Sequence, residues 1–412
     1  MHSKIAKIQA SALGYAISFL LLIGLICTSV LFITSANKRL EMNYLLDEHM
    51  LLNNYVSLHY GAGMQEAGSK IFVHSSGDTS EVTVRNWGAF RAVTSWTHHG
   101  GRLVEKSAIV GRLLEEPLPV LYLPNRKQVV KLCGKTLIEG EVYSSSRGFE
   151  RGHIANSHFE GDKLLHSTLR ESERELPKLK SYVHDLDYEH LTKGAVKIEP
   201  LRSDSSFRFT QATSLMSSTE AIHVMLRLEG NLIIHSFDSI FVSATASLNH
   251  VILMAPIIRF EKGFHGCVQA IANERISCEE GVELRYPSAL ILEEKTSGDR
   301  DRSHGIFVEK KALVLGGILL LSENPNFRHP VHLLIDEATV GGLVYNVGES
   351  ELKGSIIGSL YTNELALKLG GGEYKGYFWN ATLSSKQLPE EFVLPDWLAD
   401  VRFKESKLLA CF

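Results

Sequence analysis

The stretch "VGGLVYNVGESELKGSIIGSLYTNELALKLGGG", Val340 to Gly372, decides how this chain is read. Its apolar and polar residues alternate as in a strand, yet a glycine interrupts it every few residues. It holds no cysteine and no clustered acid–base residues. "GIFVEKKALVLGG", "HLLIDEATVGG", "LVYNVGESELKGS" and "SLYTNELALKLGGG" share one plan: a strand, a polar corner, a second short strand and a closing glycine. Upstream, "LIIHSFDSIFV", "VILMAPIIRF" and "VQAIANERISC" align. Ile240, Ile258 and Ile276 are spaced 18 apart, and so are Ile234, Ile252 and Ala270. A recurring period of this size marks a repeat architecture.

Short strands restarted at glycine corners predict a parallel β-helix (solenoid). Inward Ile, Val, Leu and Ala stack well on a pleated surface, and glycine serves corners that need positive φ or close backbone approach. No single coil buries its own face, so stability comes from neighbour stacking. The texture begins near Val129, with glycines at 134, 140, 148, 152 and 161. Roughly eight to ten coils at about 4.8 Å each make a rod of about 40–50 Å. A β-sandwich is the rival reading, since the spacings are not uniform. "LHSTLRESERELPKLKSYVHDLDYEHLTKG" is charged, carries Pro177 and lacks glycine corners before Gly194, which reads as an excursion beside the rod. The tail, with Pro389, Pro395 and Trp397, is expected to cover the last open coil, whose backbone groups would otherwise recruit another chain.

The N-terminus differs. No charge occurs between Lys7 and Lys38. A bilayer core needs about 20 apolar residues, and a signal peptide has an apolar core of roughly 7–15. Length favours an uncleaved single-pass anchor over a signal cleaved after Thr34-Ser35-Ala36. Lys4 and Lys7 on one side and Lys38 and Arg39 on the other leave the charge rule nearly silent. With so short an N-terminal tail, the large C-terminal part is expected outside the cytoplasm. Leu40, Tyr44, Leu45, Leu51, Leu52 and Val56 continue a helical stripe, so one long helix is expected, with a separate amphipathic helix as the alternative. Strand-like runs follow at Lys70–His74, Glu81–Trp87, Phe90–Thr97 and Lys106–Leu113, divided by Ser76-Gly77-Asp78 and His99-Gly100-Gly101.

The expected fold class is therefore mainly β. Residues 1–60 form a transmembrane and extended N-terminal helix, and 61–125 a small antiparallel β meander. Residues 126–385 form the β-helix, with a charged excursion near 165–195, and 386–412 a C-terminal cap.

The 412 residues carry a net charge of −4 with ordinary hydrophobic content, which argues against a nucleic-acid partner and against wholesale disorder. Cys27, Cys133, Cys267, Cys278 and Cys411 contain no C-x-x-C pair, so neither a zinc site nor a redox motif is indicated. Cys267 and Cys278 are read either as a pair or as two buried thiols.

Reactive clusters are sparse. His184, Asp185, Asp187, Glu189 and His190 are the densest potential metal ligands, against a solvated charged segment. His98-His99 is expected at a turn, before Gly100-Gly101. Glu150, Arg151, His153 and His158 read as coil-surface residues. Asp299, Arg300, Asp301, Arg302 and His304 could serve a β-helix polysaccharide lyase, but their alternating signs suit a self-neutralising loop. Asn380-Ala381-Thr382 matches a glycosylation acceptor. No nucleotide-binding, serine-hydrolase or zinc-protease motif occurs, and no catalytic residue, cofactor or metal is assigned.

A long N-terminal helix followed by a meander resembles the type IV pilin layout over about the first quarter of the chain. Gly14-Tyr15 stands in place of the family's Gly-Phe junction, with no glutamate five residues on. Val340–Gly372 and "ILMAPIIRFEKGFHG" resemble the bactofilin-like β-helix, and uncharacterised bacterial envelope proteins that join a membrane helix to a β-helical body. That resemblance covers about residues 225–385 and implies a scaffold. The leading expectation is a membrane-anchored, non-enzymatic envelope scaffold or adhesion protein in a pilin-like or secretion assembly. Its partners would be the bilayer, other envelope or pilus-like proteins, or surface polysaccharide. A carbohydrate-active β-helix enzyme is the alternative, favoured by a groove of acids and aromatics. A cytoplasmic, membrane-tethered scaffold is the third.

Overall fold

The computed structural model describes residues 4–154, 157–166, 168–294, 304–322 and 330–412, with side chains from residue 12 onward. A single helix, α1 (Lys4–Gly63), opens the chain. No proline or break interrupts it. Hydroxyls inside its apolar run bond back one turn, Thr34 Oγ1 to the Val30 carbonyl at 2.8 Å and Ser29 Oγ to Leu25 at 2.8 Å. Each hydroxyl is thus satisfied within the helix itself.

The end of α1 packs on an antiparallel sheet of β1 (Gly68–Val73), β2 (Thr79–Trp87), β3 (Phe90–His99) and β4 (Arg102–Leu114). Leu58 and Ala62 bury against Val82, Val84, Val93, Ala108 and Val110. Gly61 permits the close approach: a Cβ there would lie 2.4 Å from Val82 Cγ1. The sheet gains a fifth strand from the far end of the chain, because Phe403–Cys411 pairs antiparallel with β4. The tail therefore closes the edge of the meander.

The remainder is a many-stranded parallel sheet in which each short strand pairs with the equivalent strand one repeat away. Ile222, Ile240, Ile258, Ile276, Ile306 and Leu333 are successive register partners. Ile240 through Ile306 are fully buried. The other aligned set needs correction. Ile234 pairs with Leu253, not Ile252, and Leu253 with Ala270. His250, at φ 59°, is the extra residue in a bulge between Asn249 and Val251, so the spacing runs 19 and then 17.

The stacking order is not the sequence order. Leu121 and Tyr122 pair with Leu360 and Tyr361 on one side and with Val142 and Tyr143 on the other. Thr382–Ser384 likewise joins Ser355–Ile357 to Leu137–Glu139. Residues near 121–171 thus stack beyond the strands near 360. The chain then returns along one flank to begin again at Val196, whose N–H bonds the Thr213 carbonyl at 2.8 Å. This returning strap carries a 3₁₀ turn (Ser181–Asp185) and a short helix (Tyr188–Leu191).

Candidate functional site

An outward column of side chains runs under the strap. His235, Met254, Ile271, Ile291, Leu319 and Tyr345 are successive partners. Tyr361, Tyr122 and Tyr143 continue the column. Their rings stack: Tyr345–Tyr361 at 6.2 Å, Tyr361–Tyr122 at 5.4 Å and Tyr122–Tyr143 at 5.7 Å, with interplanar angles of 24°, 10° and 15°. The strap is pinned step by step. Tyr122 Oη donates to the Glu175 carbonyl at 3.4 Å and Tyr345 Oη to the Pro177 carbonyl at 2.9 Å. Lower down, His184 Nδ1 lies 3.7 Å from Glu293, and the Tyr188 and His235 rings meet at 4.1 Å.

Two clefts open along this seam. One, of about 370 Å³, is mostly apolar and lies between the Leu186–Glu189 turn and His235, Phe237, Met254 and Ile271. The other, of about 880 Å³, lies at the tyrosine end, between Glu115–Pro119, Glu171–Lys178 and Leu398–Arg402. It joins acids to aromatics along one flank. The tyrosines face one another, however, and Tyr122, Tyr345 and Tyr361 are almost fully buried. The cleft presents carboxylates and phenol edges, not open ring faces for stacking a sugar.

Four segments meet at Asp396. Arg91 and Arg112 each approach its carboxylate at 3.5 Å, and Lys180 bonds its other oxygen. Tyr182 Oη donates to the Asp396 carbonyl at 2.9 Å. The same two arginines donate to the carbonyl of Met64, just past α1. Burial, then the neighbouring Arg112, lowers the Arg91 pKa. The cluster fastens helix, meander, strap and tail to one another.

A second polar junction ties α1 to the meander. Buried Asp78 accepts from Asn53 at 2.6 Å, Ser76 at 2.9 Å and His99 Nδ1 at 2.6 Å. Burial pushes its carboxyl up, but these hydrogen bonds prevail and hold it below the usual range.

The residues singled out from sequence scatter. Asp187 caps the short strap helix, accepting from the His190 N–H at 2.9 Å and from its ring at 2.7 Å, which raises the His190 pKa. Asp185 lies 3.9 Å from the same ring. Among the described residues, no three His, Cys, Asp or Glu side chains are grouped to hold a metal. His99 is engaged with Asp78, while His98 is exposed. His153 and His158 pair across a two-residue ladder, and Arg151 lies over Phe159. Asp299, Arg300, Asp301 and Arg302 lie outside the described residues; the His304 carbonyl accepts from the His332 N–H at 3.3 Å. Asn380 accepts from the Lys135 N–H at 2.9 Å. All five cysteines are free, so Cys267 and Cys278 are not paired.

Sequence reasoning missed the tyrosine column. Its signal is present: Leu121-Tyr122, Val142-Tyr143, Val344-Tyr345 and Leu360-Tyr361 each place an aliphatic residue before the tyrosine. In each pair the aliphatic residue is buried in the main core and the tyrosine turns out toward the strap.

No protein-family profile matches the chain, and no curated protein matches it. Among solved structures, the chain is similar to the competence-associated pilin ComZ from Thermus thermophilus, at 10% identity over 90% of this chain and 95% of that one. The TM-score of 0.23 is too low to show a shared fold.

Proposed function

We propose that this chain is a single-pass, membrane-anchored scaffold or adhesion protein of the cell envelope, without enzymatic activity, holding its body outside the cytoplasm. The observation that carries the reading is the division of α1. Its apolar part, within a stretch whose mean hydropathy reaches 2.7, is exposed along its length, whereas Met50, Asn54, Leu58 and Ala62 are buried on the meander. A helix with one end built into a folded body and the other apolar all round suits a bilayer anchor.

The body is a β-helix in this reading. Support comes from the unbroken isoleucine column and from the parallel register of equivalent strands. A stack of this kind is rigid and displays long flanks, which suits a spacer or adhesive element. The pilin-like layout extends to the helix surface. Tyr44, Leu45, Leu51, Leu52, Tyr55 and Val56 stay 45–74% exposed along α1. That surface supports contact with other envelope or pilus-like helices.

Alkaline carbonate extraction of membranes tests the anchor. The full chain should remain in the pellet, and a version beginning at Asn37 should be released. Release of the full chain would contradict the reading.

A further inference from the structure

The cleft at the tyrosine end is acceptor-rich in a way the scaffold reading does not use. Glu115, Glu116 and Asp400 line one side, and Glu141, Glu171, Glu173 and Glu175 the other. These seven carboxylates face three basic residues, Arg170, Lys178 and Arg402. Two carboxylates are engaged: Glu141 with Arg170, and Glu171 with Asn125 Nδ2 at 2.7 Å. Tyr361 supplies an independent observation. Its residue is 3% exposed and lines the cleft, and its hydroxyl has no hydrogen-bond partner among the described residues. The phenol is almost wholly buried and meets the cleft, where a ligand atom can bond its hydroxyl.

We propose that this cleft binds an organic polycation, an extended chain of aliphatic amines that donates hydrogen bonds to Tyr361 Oη and to the surrounding carboxylates. Ionised carboxylates only accept, so the complementary ligand must be rich in donors and positive charge. The balance of charge disfavours anionic sugars and phosphates. A neutral sugar would want open aromatic faces, but Tyr122 and Tyr361 cover one another at 5.4 Å, and Arg170 lies 5.9 Å over Tyr143. A cleft of about 880 Å³ is too large for a bare ion and falls within the range of drug-sized ligands. Pro117, Pro119 and Pro177 stiffen its walls. The phenol stays protonated, since burial first, then Tyr122, Tyr143 and Glu141, push its pKa up.

Free polyamines and lysine side chains of a partner segment share this chemistry, so the test has two arms. The full chain in detergent micelles is titrated by calorimetry with spermine and, separately, with an oligolysine peptide, at low and high salt. Saturable binding in either arm, weakened by salt, is expected, and the tighter arm identifies the source. Tyr361→Phe keeps the ring ladder and removes the hydroxyl. It should weaken binding about tenfold, the effect of losing one hydrogen bond to a charged group. The double variant Glu173→Gln/Glu175→Gln, on exposed residues, should weaken it at least as much, and it decides the matter if Tyr361→Phe does not fold. No binding in either arm, binding that neither variant alters, or preferential binding of an uncharged chito-oligosaccharide would overturn the proposal.

Discussion

The carbonyl oxygen of Gly342 occupies the place that a side chain on Gly358 would need: a Cβ built there lies 2.1 Å from it. Gly342 stands in the same relation to Gly316, at 2.0 Å, and all three have φ between 127° and 142°. The glycines that punctuate Val340–Gly372 therefore include a stacked column, where each backbone passes against the next. Gly358→Ala should cost about 2–4 kcal/mol through clash and backbone strain. Gly370→Ala has open space around its Cβ and pays only for its φ of 58°. Urea unfolding of the two variants compares these costs, and equal losses would contradict the stacked column.

Asp396 is the counter-ion for two half-buried arginines and a lysine. Asp396→Asn leaves those charges without compensation and is expected to destabilise by about 3–5 kcal/mol, as for other broken buried pairs. Limited proteolysis should then cut in the strap near Lys178–Lys180, because the cluster fastens it to the tail. An uncut strap in the variant would show that the cluster does not hold it.

Asp78 links stability to pH. Its carboxyl titrates lower in the folded protein than in the unfolded chain, so the unfolded chain binds the proton more readily. Its contribution is full above about pH 4 and fades as pH falls through the folded value. Asp78→Asn should lower stability at neutral pH and flatten the acid limb of the stability curve. An unchanged acid limb would assign acid sensitivity to other groups.

Thiol labelling separates the cysteines. Cys133, Cys267 and Cys278 are buried. Burial raises the Cys267 pKa to about 11 and pushes Cys278 higher still. In micelles, a charged maleimide should label Cys411 rapidly and these three only after denaturation. Rapid labelling of Cys267 itself under native conditions, located by peptide mapping, would contradict the packing around it.

The features that local pattern decides were legible in the sequence. The apolar run from Ala10 to Ala36 and the turns at Ser76–Asp78 and His99–Gly101 foretold α1 and the four meander strands. Ile240, Ile258 and Ile276 foretold their own register, because that face carries no irregularity through those positions. The Ile234 column fails at His250, where one bulged residue makes Leu253 and not Ile252 the partner of Ile234 before Ala270 restores the count. Two further misses are topological. Tyr122 and Tyr143 meet Tyr361 only because early strands stack beyond late ones. Phe403–Cys411 joins the meander only because the chain returns to its start. No local period encodes an order that runs against the chain. The acidic cleft was hidden for the same reason, its walls coming from residues near 115, 141, 175 and 400.

The central claim is that α1 anchors a body lying outside the cytoplasm. The most direct measurement is a pair of fusions through a flexible linker after Phe412, one to alkaline phosphatase and one to a fluorescent protein that matures only in the cytoplasm. The account predicts phosphatase activity in intact cells and no fluorescence. Fluorescence without phosphatase activity would place the body in the cytoplasm and contradict it.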